Sequence, residues 1–312
     1  MGPRDSGRLD AGDGHRVYWE EWGSPAGKPA VVLHGGPGSG CDSWWTTRFD
    51  LDAYRVVLVD QRGCGRSLPH AGHDLAALQA NTTHHLIADL ERLRETLRIE
   101  RWLVLGASWG STLGLAYAQA HPESVSEIVL WSVVTTTRRE VEWVTRHVGR
   151  YFPGEWERLR DGVPPRDREG NLALAYSRLL TGSDAEVCER AAIDWCRWED
   201  FHMRTHPDDP PDERFEDPVF RLCFARLVTH YWANAAWLEE GSLIAGAGAL
   251  GGIPAVLVHG RLDLSAPVDV PWRLARAWPG AELIVVDTEG HRGGQAMKSA
   301  VIDALRRFAG RG

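Results

Sequence analysis

Gly106-Ala107-Ser108-Trp109-Gly110 is a G-x-S-x-G pentapeptide. The pattern alone is weak, but it follows an apolar run at 102–105 and opens a helical pattern. Small residues on either side let the chain turn tightly from strand to helix, exposing the serine hydroxyl at the positive end of that helix. A serine is a poor nucleophile until a base takes its proton, and the base needs an acid to orient it. In this strand–turn–helix arrangement the order along the chain is serine, acid, histidine. Asp263, within His259-Gly260-Arg261-Leu262-Asp263, follows a strand at 253–258. His291, within Glu289-Gly290-His291, follows a strand at 282–286. Both belong on loops at the edge of the sheet where Ser108 emerges. Asp269 and Asp287 compete for the role of acid, and His259 for that of base. Asp269 is expected in or near a helix, Asp287 lies too close to its strand, and His259 reads as structural. The chemistry indicated is acyl transfer by Ser108, Asp263 and His291.

The developing oxyanion needs preorganised donors. Trp109 offers its backbone N–H as the residue after the nucleophile. His34-Gly35-Gly36-Pro37-Gly38 follows a short apolar run at 30–33, and its glycines allow close backbone approach, so Gly36 is expected to supply the second donor. This is not a phosphate loop, because the Gly-Lys-Ser/Thr ending is absent. Asp60-Gln61-Arg62-Gly63-Cys64-Gly65-Arg66-Ser67 lacks the dinucleotide-binding glycine order and reads as a buried network in which Asp60 and Arg62 brace the active-site loops. Cys64 has no base paired with it by sequence. His202 and His206 stand four apart, but Pro207 follows and no third ligand is evident; neither a metal nor a cofactor is expected.

The elements that must position these residues alternate in a βαβα rhythm. Residues 16–22 read as an edge strand, and 30–33, 55–59, 102–105 and 127–131 as buried strands; 82–97 and 113–120 read as helices. After an interruption come a strand at 253–258, a helix at 270–278, a strand at 282–286 and a closing helix at 296–308. The expectation is an α/β fold with a mostly parallel central sheet flanked by helices. Between about 136 and 240 the rhythm gives way to aromatic-rich helical patterns with no convincing strand pair. The simplest organisation is a split α/β core, 1–135 and 241–312, carrying an inserted helical cap at 136–240. Many of the fifteen tryptophans lie between Trp131 and Trp237, where they either line an aromatic pocket or pack as core.

Composition narrows the class. A length of 312 residues allows one large α/β domain with an insertion, and 43% hydrophobic residues exclude wholesale disorder. The net charge of −8 argues against nucleic acid as a partner. No stretch approaches the roughly 18 apolar residues of a membrane span. The polar, Gly-rich start, MGPRDSGRLDAGDGH, lacks a signal-peptide core, and the five scattered cysteines make neither a disulfide framework nor a zinc spacing. A soluble, cytoplasmic protein is expected; its oligomeric state is not legible.

Taken together, HGGPGSG (34–40), DQRGCGRS (60–67), GASWGSTLGLAYAQAHPE (106–123) and HGRLD (259–263) resemble the proline iminopeptidase branch of the α/β-hydrolases, peptidase family S33, in order and spacing over nearly the whole chain. The resemblance implies an α/β-hydrolase fold, a helical cap, a Ser108/Asp263/His291 triad and a metal-free reaction. That reaction releases an N-terminal residue, preferably proline, from a small peptide or an aminoacyl amide or ester. Trp195-Cys196-Arg197-Trp198-Glu199 matches the family's W-x-x-W-E, which implies that Glu199 meets the substrate's ammonium with Trp195 and Trp198 beside it. Two positions depart from the pattern. Val228 stands where the family's A-R-I-E-x-H-Y carries a glutamate, and Leu264 follows Asp263 where a related arrangement carries another. These departures favour an alternative, a serine amidase or esterase for a non-peptide or specialised-metabolite substrate. A non-catalytic binding module is a third reading, disfavoured by an intact triad.

Overall fold

The computed structural model describes residues 2–205 and 209–310. Its elements in chain order are β1 (Asp5–Gly12), β2 (His15–Gly23), β3 (Lys28–Leu33), β4 (Tyr54–Asp60), α1 (Thr83–Thr96), β5 (Trp102–Ala107), α2 (Trp109–Ala120), β6 (Val125–Trp131), α3 (Arg138–Thr145), α4 (Pro153–Asp161), α5 (Leu172–Leu180), α6 (Ala185–Met203), α7 (Pro218–Ala233), α8 (Ser242–Ala245), β7 (Ala255–Gly260), α9 (Asp269–Ala277), β8 (Ala281–Val286) and α10 (Gln295–Ala309). Among the described residues the eight strands form one sheet in the order β1-β2-β4-β3-β5-β6-β7-β8. Only the β1–β2 and β2–β4 pairings are antiparallel.

A parallel strand covered on both faces must be apolar throughout, and β3 shows it: Ala30 to Leu33 are all fully buried. Alternate residues supply opposite faces. Val31 and Leu33 join one core with Leu86, Leu90 and Leu93 of α1, Leu113 of α2 and Leu274 of α9. Ala30 and Val32 join the other with Met297, Val301 and Leu305 of α10. The α1 leucines recur at i, i+4 and i+7, one stripe of a helix. Each contributes roughly 1.5–3 kcal/mol by burial, which is what seats α1 against the sheet.

Residues 16–22 do not form the edge. The strand β1 pairs outside β2, with Gly12 opposite His15, so Asp13-Gly14 is a two-residue hairpin loop. Both loop residues have positive φ, 54° and 80°, as a type I′ turn requires. The polar composition of β1 (DSGRLDAG) hides it from a search for apolar alternation.

Between β6 and α8 the five helices α3 to α7 surround a hydrophobic cluster of their own, which includes Trp195, Trp198, Phe224 and Val228. Their starts carry ordinary stop-and-start chemistry. Thr137 and Glu140 make a reciprocal capping box on α3, and Asp217 caps α7 ahead of Pro218. All five cysteines are free and buried. Among the described residues no helix is long and apolar enough to cross a membrane.

Candidate active site

The turn from β5 into α2 holds Ser108 at φ 53° and ψ −122°, a conformation that a non-glycine residue adopts only under local constraint. The constraint is a set of close approaches that only glycine tolerates. A Cβ on Gly110 would lie 1.9 Å from the carbonyl oxygen of Leu33 in β3, and one on Gly106 would lie 2.3 Å from the carbonyl oxygen of Gly110. The Ser108 N–H donates to the Trp131 carbonyl at the end of β6 (2.9 Å), and the Ser111 hydroxyl donates to the Ser108 carbonyl (2.6 Å).

Ser108 Oγ lies 2.9 Å from His291 Nε2, and His291 Nδ1 lies 2.8 Å from Asp263 Oδ2. Asp263 Oδ1 accepts from the Ala266 N–H (2.8 Å), and the Ser132 hydroxyl donates to the His291 carbonyl (2.6 Å). The three side chains thus converge from the loops after β5, β7 and β8. Burial opposes charging His291, but the Asp263 carboxylate, aided by Glu199, outweighs it and holds the imidazolium above its ordinary range. Burial likewise opposes ionising Asp263, and the histidine overcomes it, so its carboxyl titrates below the usual range. The competing groups sit elsewhere. His259 is buried, accepts from Val133 N–H at Nδ1 (3.0 Å) and contacts the Ala266 carbonyl at Nε2 (2.8 Å). Desolvation lowers its pKa, which makes it a neutral brace for the Asp263 loop. Asp269 begins α9 and pairs with Arg139, and Asp287 pairs with Arg261.

Gly36, at φ 104°, and Gly35 line the same cavity as Ser108. The Trp109 N–H, in the first turn of α2, has no helical partner. Gln61, to which its sequence motif assigns no role, ties both segments together. Its amide donates to the His34 carbonyl (3.0 Å), its N–H donates to His34 Nε2 (3.1 Å), and its side-chain oxygen accepts from Trp109 Nε1 (2.8 Å). Burial lowers the His34 pKa to about 4, so His34 remains an acceptor for Gln61. Around them, Asp60 accepts from the Cys41 N–H (2.7 Å) and from Arg66 Nε (2.7 Å). Arg62 makes a bidentate pair with Asp89 of α1 (2.6 and 2.7 Å). The bracing network expected of Asp60 and Arg62 is therefore present. Cys64 is buried within it, and desolvation pushes its thiol well up.

The cavity is about 380 Å³. Its floor is Ser108 and His291, and α6 contributes Glu199 and His202 to its wall. Glu199, 3% exposed, accepts from Trp195 Nε1 at Oε1 (3.1 Å). The two tryptophans expected beside the substrate are placed differently. Trp195 and Trp198 are fully buried in the helical cluster and do not line the cavity. Trp195 reaches the site through Glu199 and by packing edge-on against Trp232, and Trp198 Nε1 is committed to the Val144 carbonyl (3.1 Å). The reason is rotational. Only one stripe of a helix can face the cavity, and Glu199 and His202 occupy it, while the large apolar rings fill the core behind. The aromatic wall comes instead from Trp44, Trp45, Trp131 and Trp232. Trp44 and Trp45, on a short 3₁₀ turn (Ser43–Arg48), were not singled out by sequence; their adjacency after a glycine-rich loop was the available signal. Val228 lies in the buried cluster rather than on the cavity wall. His202 contacts Ser265 and Glu199, and His206 lies outside the described residues.

The chain matches the family described as alpha/beta hydrolase fold over residues 28–293. It is 50% identical over 311 residues to a probable proline iminopeptidase of Streptomyces coelicolor, covering 98% of this chain and 96% of that one. It is 44% identical over 305 residues to a proline iminopeptidase of Xylella fastidiosa, covering 97% and 95%. Among solved structures it resembles the crystal structure of a proline iminopeptidase from Mycobacterium smegmatis, with a TM-score of 0.65 and 21% identity over 98% of this chain and 99% of that one, a likeness of fold.

Proposed function

Because the chain belongs to the proline iminopeptidase family of the α/β-hydrolases, we propose that it is a serine hydrolase releasing an N-terminal residue, preferably proline, from small peptides or aminoacyl amides. Ser108 attacks the scissile carbonyl while His291 Nε2 takes its proton. Asp263 holds the imidazole in the tautomer that can do so and stabilises the imidazolium that forms. The oxyanion is received by the N–H groups of Gly36 and Trp109. The tetrahedral intermediate collapses as His291 returns the proton to the leaving amine. Water, activated by the same histidine, then frees the acyl group from Ser108.

Specificity is assigned to the wall of the cavity. Glu199 is a buried carboxylate there, and it pairs with the substrate's terminal ammonium. This is the contact that a buried anion most needs and that an internal or acylated residue cannot make. We read residues 136–240 as a cap over a core formed by 1–135 and 241–312. The observation that carries the proposal is the Ser108–His291–Asp263 chain opening into the cavity walled by Glu199. A non-peptide amidase or esterase is not favoured, since the relatives at 44% and 50% identity are named as peptidases.

The test compares L-prolyl arylamide with its N-acetylated twin. Turnover of the free amine should exceed that of the acetylated substrate by roughly a hundredfold or more, because acetylation removes the charge and leaves Glu199 unpaired. Ser108→Ala should reduce kcat by at least roughly 10⁴-fold. Equal turnover of both substrates would refute the aminopeptidase assignment.

A further inference from the structure

Building on the aminopeptidase reading, we propose that His202 is the second acceptor for the substrate's amino group, so that Glu199 and His202 clamp the secondary ammonium of an N-terminal proline between them. The two residues lie three apart on α6, on one face, and both line the cavity that holds Ser108. Both are more than nine-tenths buried, at 3% and 1% exposed.

The neighbouring hydrogen bonds fix the imidazole. Ser265 Oγ donates its single hydrogen to the His202 carbonyl (3.0 Å). Toward His202 Nδ1, 2.8 Å away, it can then only accept. Nδ1 therefore carries the ring hydrogen, an assignment from the network, and in the neutral ring Nε2 is left as a lone pair. That nitrogen is buried without a hydrogen-bond partner. Glu199 Oε2 lies 3.2 Å from it, with no hydrogen bond between them.

In that neutral tautomer two acceptors stand side by side in the wall, and they pair with each other only when the imidazole is protonated. A buried acceptor without a donor is costly, and a cation bearing two N–H groups on one nitrogen relieves both at once. The terminal nitrogen of proline is such a group: one N–H reaches Glu199 Oε2 and the other His202 Nε2. Val228 cannot contribute, being apolar and in the buried cluster. The second contact comes from the neighbouring turn of α6 instead of from α7.

The experiment is a cycle of substrates and proteins. N-methyl-L-prolyl arylamide keeps the charge of L-prolyl arylamide but has a single N–H. In the wild type its KM should be about tenfold or more higher, the size of one charge-assisted hydrogen bond. In His202→Leu the KM for the prolyl substrate should rise about tenfold with kcat within a few-fold of wild type, and the gap between the two substrates should close. His202→Gln, whose amide oxygen restores an acceptor, should recover most of the loss. An aryl ester of cyclopentanecarboxylic acid has no amine, and its kcat/KM should fall at least several-fold less in His202→Leu than that of the prolyl substrate. An unchanged prolyl KM in His202→Leu overturns the proposal, as does a fall in ester and prolyl kcat/KM by the same factor. If the leucine variant does not fold, the wild-type ratio decides, and a ratio near one overturns the clamp. Cleavage of N-acetylprolyl arylamide as fast as the free amine would remove both the aminopeptidase reading and this inference. Strict dependence on the free amine with a prolyl KM indifferent to His202 would remove the inference alone.

Discussion

Glu199, proposed above to meet the substrate's ammonium, also acts on His291. That carboxylate adds to Asp263 in holding the imidazolium above its ordinary range. The base form of His291 is the active one, so the acidic limb of kcat/KM for a neutral aryl ester should have its midpoint above the ordinary histidine value of about 6.5. Glu199→Gln removes a negative charge, makes the imidazolium less stable and should move that midpoint down in pH. The ester profile of the two proteins checks this, and a midpoint that stays put would mean that Glu199 is electrically remote from the base. The convergence of Ser108, Asp263 and His291 was legible because each follows a strand whose end fixes where its loop emerges. The partners of Glu199 were not. The W-x-x-W-E string specifies residues at intervals of three and four, but not which stripe of α6 turns inward. His202 stood out only for its four-residue spacing from His206, from which no metal site is expected, and its bond to Ser265 joins residues 63 apart in the chain.

Among the elements, the β5–α2 elbow is the most tightly determined. Gly110 faces the backbone of β3 so closely that Gly110→Ala would place a Cβ 1.9 Å from Leu33 O. Neither partner can yield, since α2 is buried along most of its length and β3 is a central strand. The substitution should cost about 3 kcal/mol or more in a urea titration, at the upper end of overpacking effects, and abolish activity by shifting Ser108. A loss below about 0.5 kcal/mol would show that the elbow can open. The parallel strands β3, β5 and β7 could be placed from sequence because their apolar runs are unbroken and buried on both faces. The hairpin edge failed for the opposite reason. Asp13-Gly14 carries one of the strongest short-range hairpin signals, yet β1 is exposed at half of its residues and is too polar to show a clear apolar alternation beside it.

At the scale of the whole molecule, sequence could give the rhythm of the sheet and the interruption between its sixth and seventh strands. It could not give the cavity, whose wall draws Trp44 from the loop after β3, Trp131 from β6 and Trp232 from α7. The interruption has a consequence for how the protein comes apart. The five buried thiols fall in two territories: Cys41 and Cys64 under the loops of the sheet, Cys188 and Cys196 among the inserted helices, with Cys223 of α7 touching the Gly63 carbonyl between them. Only a thiolate attacks an alkylating reagent, and burial pushes the Cys41, Cys64 and Cys196 thiols well up and that of Cys223 to about 12. All five are also buried out of reach of the reagent in the closed molecule, so each alkylation event records a local opening. Mass spectrometry of iodoacetamide-treated protein should find Cys188 and Cys196 modified before Cys41 and Cys64. Simultaneous modification would mean that the two territories unfold as one. Without any engineered residue, the chain carries a two-dial stopwatch for its own breathing.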